Sequence, residues 1–570
     1  MAPQGQEKQF IFVGGPALTA KGSGIRSKVV QDGMRERRLA RQKIALDEMD
    51  RLIQERRTSS PPHCSCRRQA IPASALSQSP ARNQPIRGER CMFCTSCLRR
   101  LDNFARSSVH GPAIGLPEPM IPINERTSKL KVREIFSFAT RFIFPNLRIL
   151  GQPDLFQTWA FPFEDDELKF FTFLWSSRYH EDVLRLTYGA PADPARLKEQ
   201  LALKGQTLRA LRKQVRSYTC QEPIDGIIRC MLVLGVNEKP SERIYREPSP
   251  FAPVFTGLHG LEVYGSRDYS PIHWKVMHEL LQKHGGIKAL NLFALAWQVS
   301  IADLTNAAHT IRKPLYPLVD VYGQELELDP PLLLFKQHLS GNSNAEFLKP
   351  GSGFRELLFM KPSVQKELVR VFCNIGELSH VMESLSTQPI DPQLLDILAD
   401  SRDLAHHQLF SLPTEHDPAH QILQITDRKP TRDTHGRSLN IYLVCYLSTL
   451  LYATHVTFPV PRSILVRQRL LGWLCPRLLQ LALPGRGLPS PLVLWCTSVA
   501  LIALDKEEPF DGVLKLFQRL CRGLQVTSLE ELLPILRWFA WVDSAVRHHY
   551  TTLETYFLSL NEDDTHKTKC

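Results

Sequence analysis

The first 110 residues of this 570-residue chain are short of acid, with nine Asp and Glu against twenty Lys and Arg. That stretch holds +11 of the chain's formal +12, and the rest carries fifty cations against forty-nine anions. A uniformly basic protein is excluded. The pattern is a cationic arm on a neutral body, suited to docking one end on a polyanion. The N-terminal stretch also offers no extended apolar run. The Phe10–Val13 run is too short for a signal peptide and lacks a cleavage site. Thirteen cysteines are scattered rather than gathered into a secreted framework, which points to a reducing compartment, cytosol or nucleus, with most thiols free.

Catalytic signatures are missing as well. The chain has no nucleophile elbow, no His-Glu-x-x-His, no metal-spaced histidine pair and no kinase landmark. Gly14–Ser23 faintly imitates a phosphate loop, but Ala20 stands where the second glycine belongs, Gly22 replaces the metal-binding hydroxyl and Pro16 removes a backbone donor. Gly351-Ser-Gly353 lacks the third glycine of a dinucleotide fingerprint. His406-His407 and His548-His549 are adjacent pairs, so on a helix each pair diverges by about 100° and cannot clamp one ion; they read as surface histidines. Asp165-Asp166 reads as an acid pair at a helix N-terminus. No catalytic residue and no cofactor is implied, and the chain is expected not to be an enzyme.

What is present divides the chain. Residues 1–58 form a basic head, with a β-like run at Phe10–Val13 and a helical pattern over 25–57. That pattern mixes Arg26, Lys28, Arg35, Arg37, Arg38, Arg41 and Lys43 with Leu39, Leu46, Met49 and Ile53. Those seven cations would neutralise phosphates and release counterions, or serve as a nuclear-import signal. The Asn-x-x-Ala-Ala core and leucine heptads of a bZIP region are missing. Residues 59–130 read as a flexible Pro/Ser-rich linker, with nine prolines between Pro61 and Pro122. Within it Cys64, Cys66, Cys91, Cys94 and Cys97, with His63 nearby, form a cysteine cluster. Its spacing fits no zinc-finger pattern, so zinc is a weak alternative to unpaired thiols.

From 131 to 560 helical periods of 12–20 residues follow one another, separated by Pro/Gly/Asp clusters, and 561–570 is a polar tail. One stripe is Leu201, Leu208, Leu211 and Val215; others run through Val276–Leu281, Leu290–Leu304, Val364–Val381, Leu394–Leu404 and Leu439–Leu451. The expected fold class is all-α, a large multi-helix domain after a basic arm and a linker. Leu439–Phe458 is long enough to span a bilayer. It carries Asn440, Ser448, Thr449, Thr454, His455 and Thr457, and its flanks show no one-sided basic clamp. A buried core helix is the better account, and the protein is expected to be soluble.

Several segments carry a family resemblance. Gly151–Phe156 leading to Glu167–Phe173, the head Phe10–Val13 with Arg26–Arg38, and Lys204–Arg216 followed by Asp225–Gly235 are three of them. The best-matching are His273–Ile287, Trp297–Leu304 and Arg312–Pro317, with Pro491–Trp495 and Ile535–Trp541 near the end. Together they resemble the fungal-specific transcription factor family, ascomycete transcription-factor-like proteins with a short basic head. The resemblance implies a nuclear regulator whose helical domain is akin to the regulatory middle region of zinc-cluster activators. It also permits a role beside biosynthetic gene clusters. The six-cysteine DNA-binding module of those activators is missing, so DNA contact is direct or through a partner regulator. Expected partners are DNA, other transcriptional proteins and a nuclear import receptor, with no membrane; homodimerisation stays open, as does a small effector. The alternative is a non-enzymatic helical scaffold or adaptor of the cytosol or an anionic membrane surface.

Overall fold

The periodic segments fold as helices whose ends are fixed by local chemistry. The computed structural model describes residues 131–147, 166–219, 223–239, 241–339, 349–387, 390–424, 432–481, 490–505 and 510–556. The α-helices of seven residues or more are numbered α1 (Val132–Phe138), α2 (Glu167–Thr187), α3 (Pro194–Ser217), α4 (Asp225–Val236), α5 (Pro271–Lys283), α6 (Leu295–Thr310) and α7 (Lys366–Ser386). They continue with α8 (Pro392–Phe410), α9 (Arg432–Tyr452), α10 (Ile464–Leu481), α11 (Pro491–Leu504), α12 (Phe510–Gly523) and α13 (Leu529–Arg537). Among the described residues there is no strand, only the isolated bridges Val319 to Glu325 and Val364 to Leu423. The fold is all-α, as the periodicity implied.

Asp166 caps α2 by accepting the Lys169 N–H at 2.9 Å, which bears out half of the expected acid pair; Asp165 lies outside the described residues. Ser490 caps α11, with Pro491 in the first turn, where its missing N–H costs nothing. Such caps contribute about 1 kcal/mol each. Gly285 and Gly286, both left-handed, end α5. The Gly286 N–H returns to Leu281 O at 2.7 Å and the Gly285 N–H to Gln282 O at 3.4 Å, the paired closure of a Schellman stop.

The main core gathers α7 to α12. Every residue from Leu492 to Leu504 of α11 is buried, and α11 packs on α9, α10 and α12. His435–Thr457 is long and apolar enough to cross a membrane, yet 89% of its apolar window is buried inside the protein. Two of its hydroxyls bond within the helix: Thr449 donates to Cys445 O at 2.7 Å and Thr454 to Leu450 O at 2.9 Å. It is a core helix, continued by a π-helical turn at Ala453–Thr457. Gly351 and Gly353 are packing residues. A Cβ at Gly351 would lie 2.3 Å from Cys373 O, and one at Gly353 2.7 Å from the Phe539 ring. The six described cysteines are free thiols.

One stripe is corrected. On α3 the buried residues are Gln200, Leu203, Thr207, Ala210 and Leu211, whereas Leu201 and Leu208 are exposed. Two apolar lines run along this helix, and sequence period alone cannot say which one meets the core.

The three best-matching segments of the resemblance meet in space. Asp303 accepts the backbone N–H groups of Leu315 and Tyr316 at 2.6 and 3.0 Å. The Tyr316 hydroxyl bonds His278 Nδ1 at 2.5 Å, and His407 Nε2 donates to Tyr316 O at 2.8 Å. These contacts fix α5, α6 and α8 relative to one another beside a cavity.

Candidate functional site

That cavity of about 130 Å³ lies among α2, α4, α6 and the segment 259–269, with Arg402 of α8 in its wall. Phe173, Val183, Leu232, Val236, Trp297 and Ile301 give it a mostly apolar lining. An apolar cavity of about 150 Å³ is enough to admit benzene, so this volume suits a small aromatic or branched aliphatic group.

Its polar groups are few and mostly neutral. His180 Nδ1 meets the Tyr264 hydroxyl at 3.2 Å. Burial, aided by the Arg267 charge, pulls His180 down to about 4, and burial pushes Tyr264 up to about 12. Both are uncharged at neutral pH. Burial draws Arg229 down to about 10 against the opposing pull of Asp166, so it stays a cation.

The distinctive group is His259. It takes a left-handed conformation with φ 49°, which histidine tolerates better than most residues. Its Nδ1 lies 2.7 Å from Asp403 Oδ2. Burial alone would raise the Asp403 carboxyl, but the Arg402 guanidinium and the His259 bond outweigh it and hold the group below the usual carboxylate range. Arg402 Nε and Nη2 reach Asp403 Oδ1 at 2.7 and 2.5 Å, and Nη1 donates to Leu258 O at 3.2 Å. An ionised carboxylate only accepts, so Nδ1 carries a proton and donates to Asp403. Nε2 is buried, has no hydrogen-bond partner within the protein, and sits 3.8 Å from Asp400 Oδ1. A buried polar atom left without a hydrogen bond costs about 1–3 kcal/mol. A bound hydroxyl would recover that.

A carboxylate-oriented imidazole is also the frame of a general base. Here the Arg402 guanidinium neutralises the carboxylate, and the His259 ring stands edge-on to Trp297 at 5.1 Å between centroids. The geometry suits holding a ligand more than moving its protons. No family model, no curated protein and no solved structure matches the chain.

Of the residues singled out in the sequence, the basic set Arg26, Lys28, Arg35, Arg37, Arg38, Arg41 and Lys43 lies outside the described residues, and so do Cys64, Cys66, Cys91, Cys94 and Cys97. Among the described residues no group of three or more His, Cys, Asp or Glu could hold a metal ion. Both histidine pairs depart from expectation. His406 is wholly buried and His407 partly so, not surface residues. His406 Nδ1 donates to Arg402 O at 2.6 Å and Nε2 accepts from the Thr457 hydroxyl at 2.8 Å. The pair still diverges as helical spacing requires, with His407 turned to Tyr316 O. His548 is exposed and His549 half-buried, and against the expected divergence both rings turn to Pro250 O, at 3.0 and 2.6 Å, with centroids 4.2 Å apart, on the 3₁₀ turn Arg547–His549 rather than an α-helix. His259 was not singled out in the sequence, because its partner lies 144 residues away. The visible sign was Arg402-Asp403, two opposite charges inside the apolar period of α8.

Proposed function

We propose that this chain is a nuclear transcriptional regulator of the fungal-specific transcription factor type, and not an enzyme. In this reading the basic head, through Arg26, Lys28, Arg35, Arg37, Arg38, Arg41 and Lys43, contacts DNA phosphates or an import receptor, and the helical body receives a small effector. The observation that carries the effector half is His259 Nε2, a buried ring nitrogen without a hydrogen bond in the wall of a mostly apolar cavity. It suits a mostly apolar molecule with one hydroxyl to bond the imidazole. The charge partition of the sequence supports the other half, since the cations are gathered where a polyanion is met first. The resemblance adds a place beside biosynthetic gene clusters, with DNA reached directly or through a partner regulator. Changing Arg35, Arg37, Arg38 and Arg41 together to Ala is expected to abolish nuclear accumulation of the tagged chain or its retention on chromatin. Unchanged location together with unchanged promoter occupancy would sink the reading.

A further inference from the structure

Helix α3 is out of keeping with its surroundings. Beyond residue 110 the chain is almost neutral, yet α3 carries seven Lys and Arg against the single acid Glu199. Part of that charge is used. Arg196 pairs with Glu181 and Asp182. Lys204 donates to Glu238 O and lies over the Trp175 ring. Lys198, Arg209, Arg212 and Arg216 are exposed. At 100° per residue these four fall within about 60° of arc.

Beside that strip runs the second apolar line. Leu197, Leu201 and Leu208 are 36%, 57% and 40% exposed, and Val215 continues the line. Their spacing of four, seven and seven matches the d and a positions of a heptad, within about 40° of arc. In that register Lys198 and Arg212 take the flanking e positions, where a coiled coil places the charges that choose its partner. A stripe this narrow is a helix-pairing seam; an interfacial membrane helix shows a broad apolar face. A phosphate backbone would leave the leucines without a role.

We propose that this face of α3 docks an acidic amphipathic helix of another protein. Apolar residues of that helix seat along Leu197, Leu201 and Leu208, and its carboxylates meet Lys198, Arg209, Arg212 and Arg216. The surface does not depend on the nuclear reading.

The test uses the full chain and a labelled three-heptad peptide with Leu at a and d and Glu at e and g, read by fluorescence anisotropy at physiological salt. A Lys-for-Glu peptide, duplex DNA and phosphatidylserine–phosphatidylcholine vesicles are run alongside. The acidic peptide is expected to bind. The double variant L201Q/L208Q should weaken it by at least ~10-fold while leaving DNA affinity unchanged. The reversal K198E/R212E should lose the acidic peptide and gain the lysine one. All four substituted side chains are exposed, and far-UV circular dichroism checks that the helices persist. The proposal is overturned if the acidic peptide does not bind, if neither double variant changes its affinity, or if L201Q/L208Q weakens vesicle binding instead.

Discussion

Replacing His406 with Gln should change how stability responds to acid as well as stability itself. His406 has both ring nitrogens bonded inside the protein. Burial pulls it down to about 4 from its ordinary 6.5, with the Arg402 carbonyl bond pulling up, the Arg402 charge down and Asp403 up. Its neutral ring therefore belongs to the folded state, while the unfolded chain takes up a proton below about 6.5. Stability from this group is complete above that pH and drains away as the pH falls toward 4. Between pH 8 and pH 5 the linkage relation gives a loss of about 2 kcal/mol from His406 alone. At pH 8 the H406Q variant gives up one good hydrogen bond in a buried place, a cost of about 1–3 kcal/mol. At pH 5 that gap should shrink by about 2 kcal/mol, because the variant has no imidazole to charge. Urea titrations at both pH values, followed by tryptophan fluorescence and circular dichroism, measure the gap directly. A gap that stays constant or widens at pH 5 refutes the argument. Burial lowers His180 to about 4 and His455 to about 3, so both steepen the acid response of both chains equally. Asp303, which burial raises to about 6 against its two backbone N–H bonds, opposes them.

Two further outcomes follow from the packing. Gly351→Ala should cost more than ~3 kcal/mol, because the new Cβ meets the Cys373 backbone at a left-handed position. Gly285→Ala, equally left-handed but with nothing within 4 Å, should cost only about 1 kcal/mol; thermal melts of the two variants compare them, and equal losses would contradict the assigned clash. In the cavity, p-cresol should raise the melting temperature more than toluene does, since about 1 kcal/mol of hydrogen bonding to His259 Nε2 corresponds to a roughly fivefold preference. His259→Phe should erase that preference, and a preference that survives the substitution would place the ligand elsewhere.

Helix identity was legible wherever one apolar period was unambiguous. Val276–Leu281 and Leu394–Leu404 lie in α5 and α8, and Val364–Val381 lies in α7 but for its first two residues; Gly285-Gly286 marked the end of α5 because local backbone chemistry sets a helix stop. Leu439–Phe458 was readable as core because it carries polar residues that lipid would not favour, of which Thr449 and Thr454 bond their own helix. The sequence therefore determined the all-α class, the cationic head and most helix positions, all of which depend on neighbours within a few turns. Tertiary structure decided which side of α3 is buried, since Leu201 and Leu203 are both leucines and only the packed surface distinguishes them. It also decided that His406 is internal and that His259 meets Asp403. Burial and pairing at such separations come from how helices pack, and no periodicity along the chain encodes them.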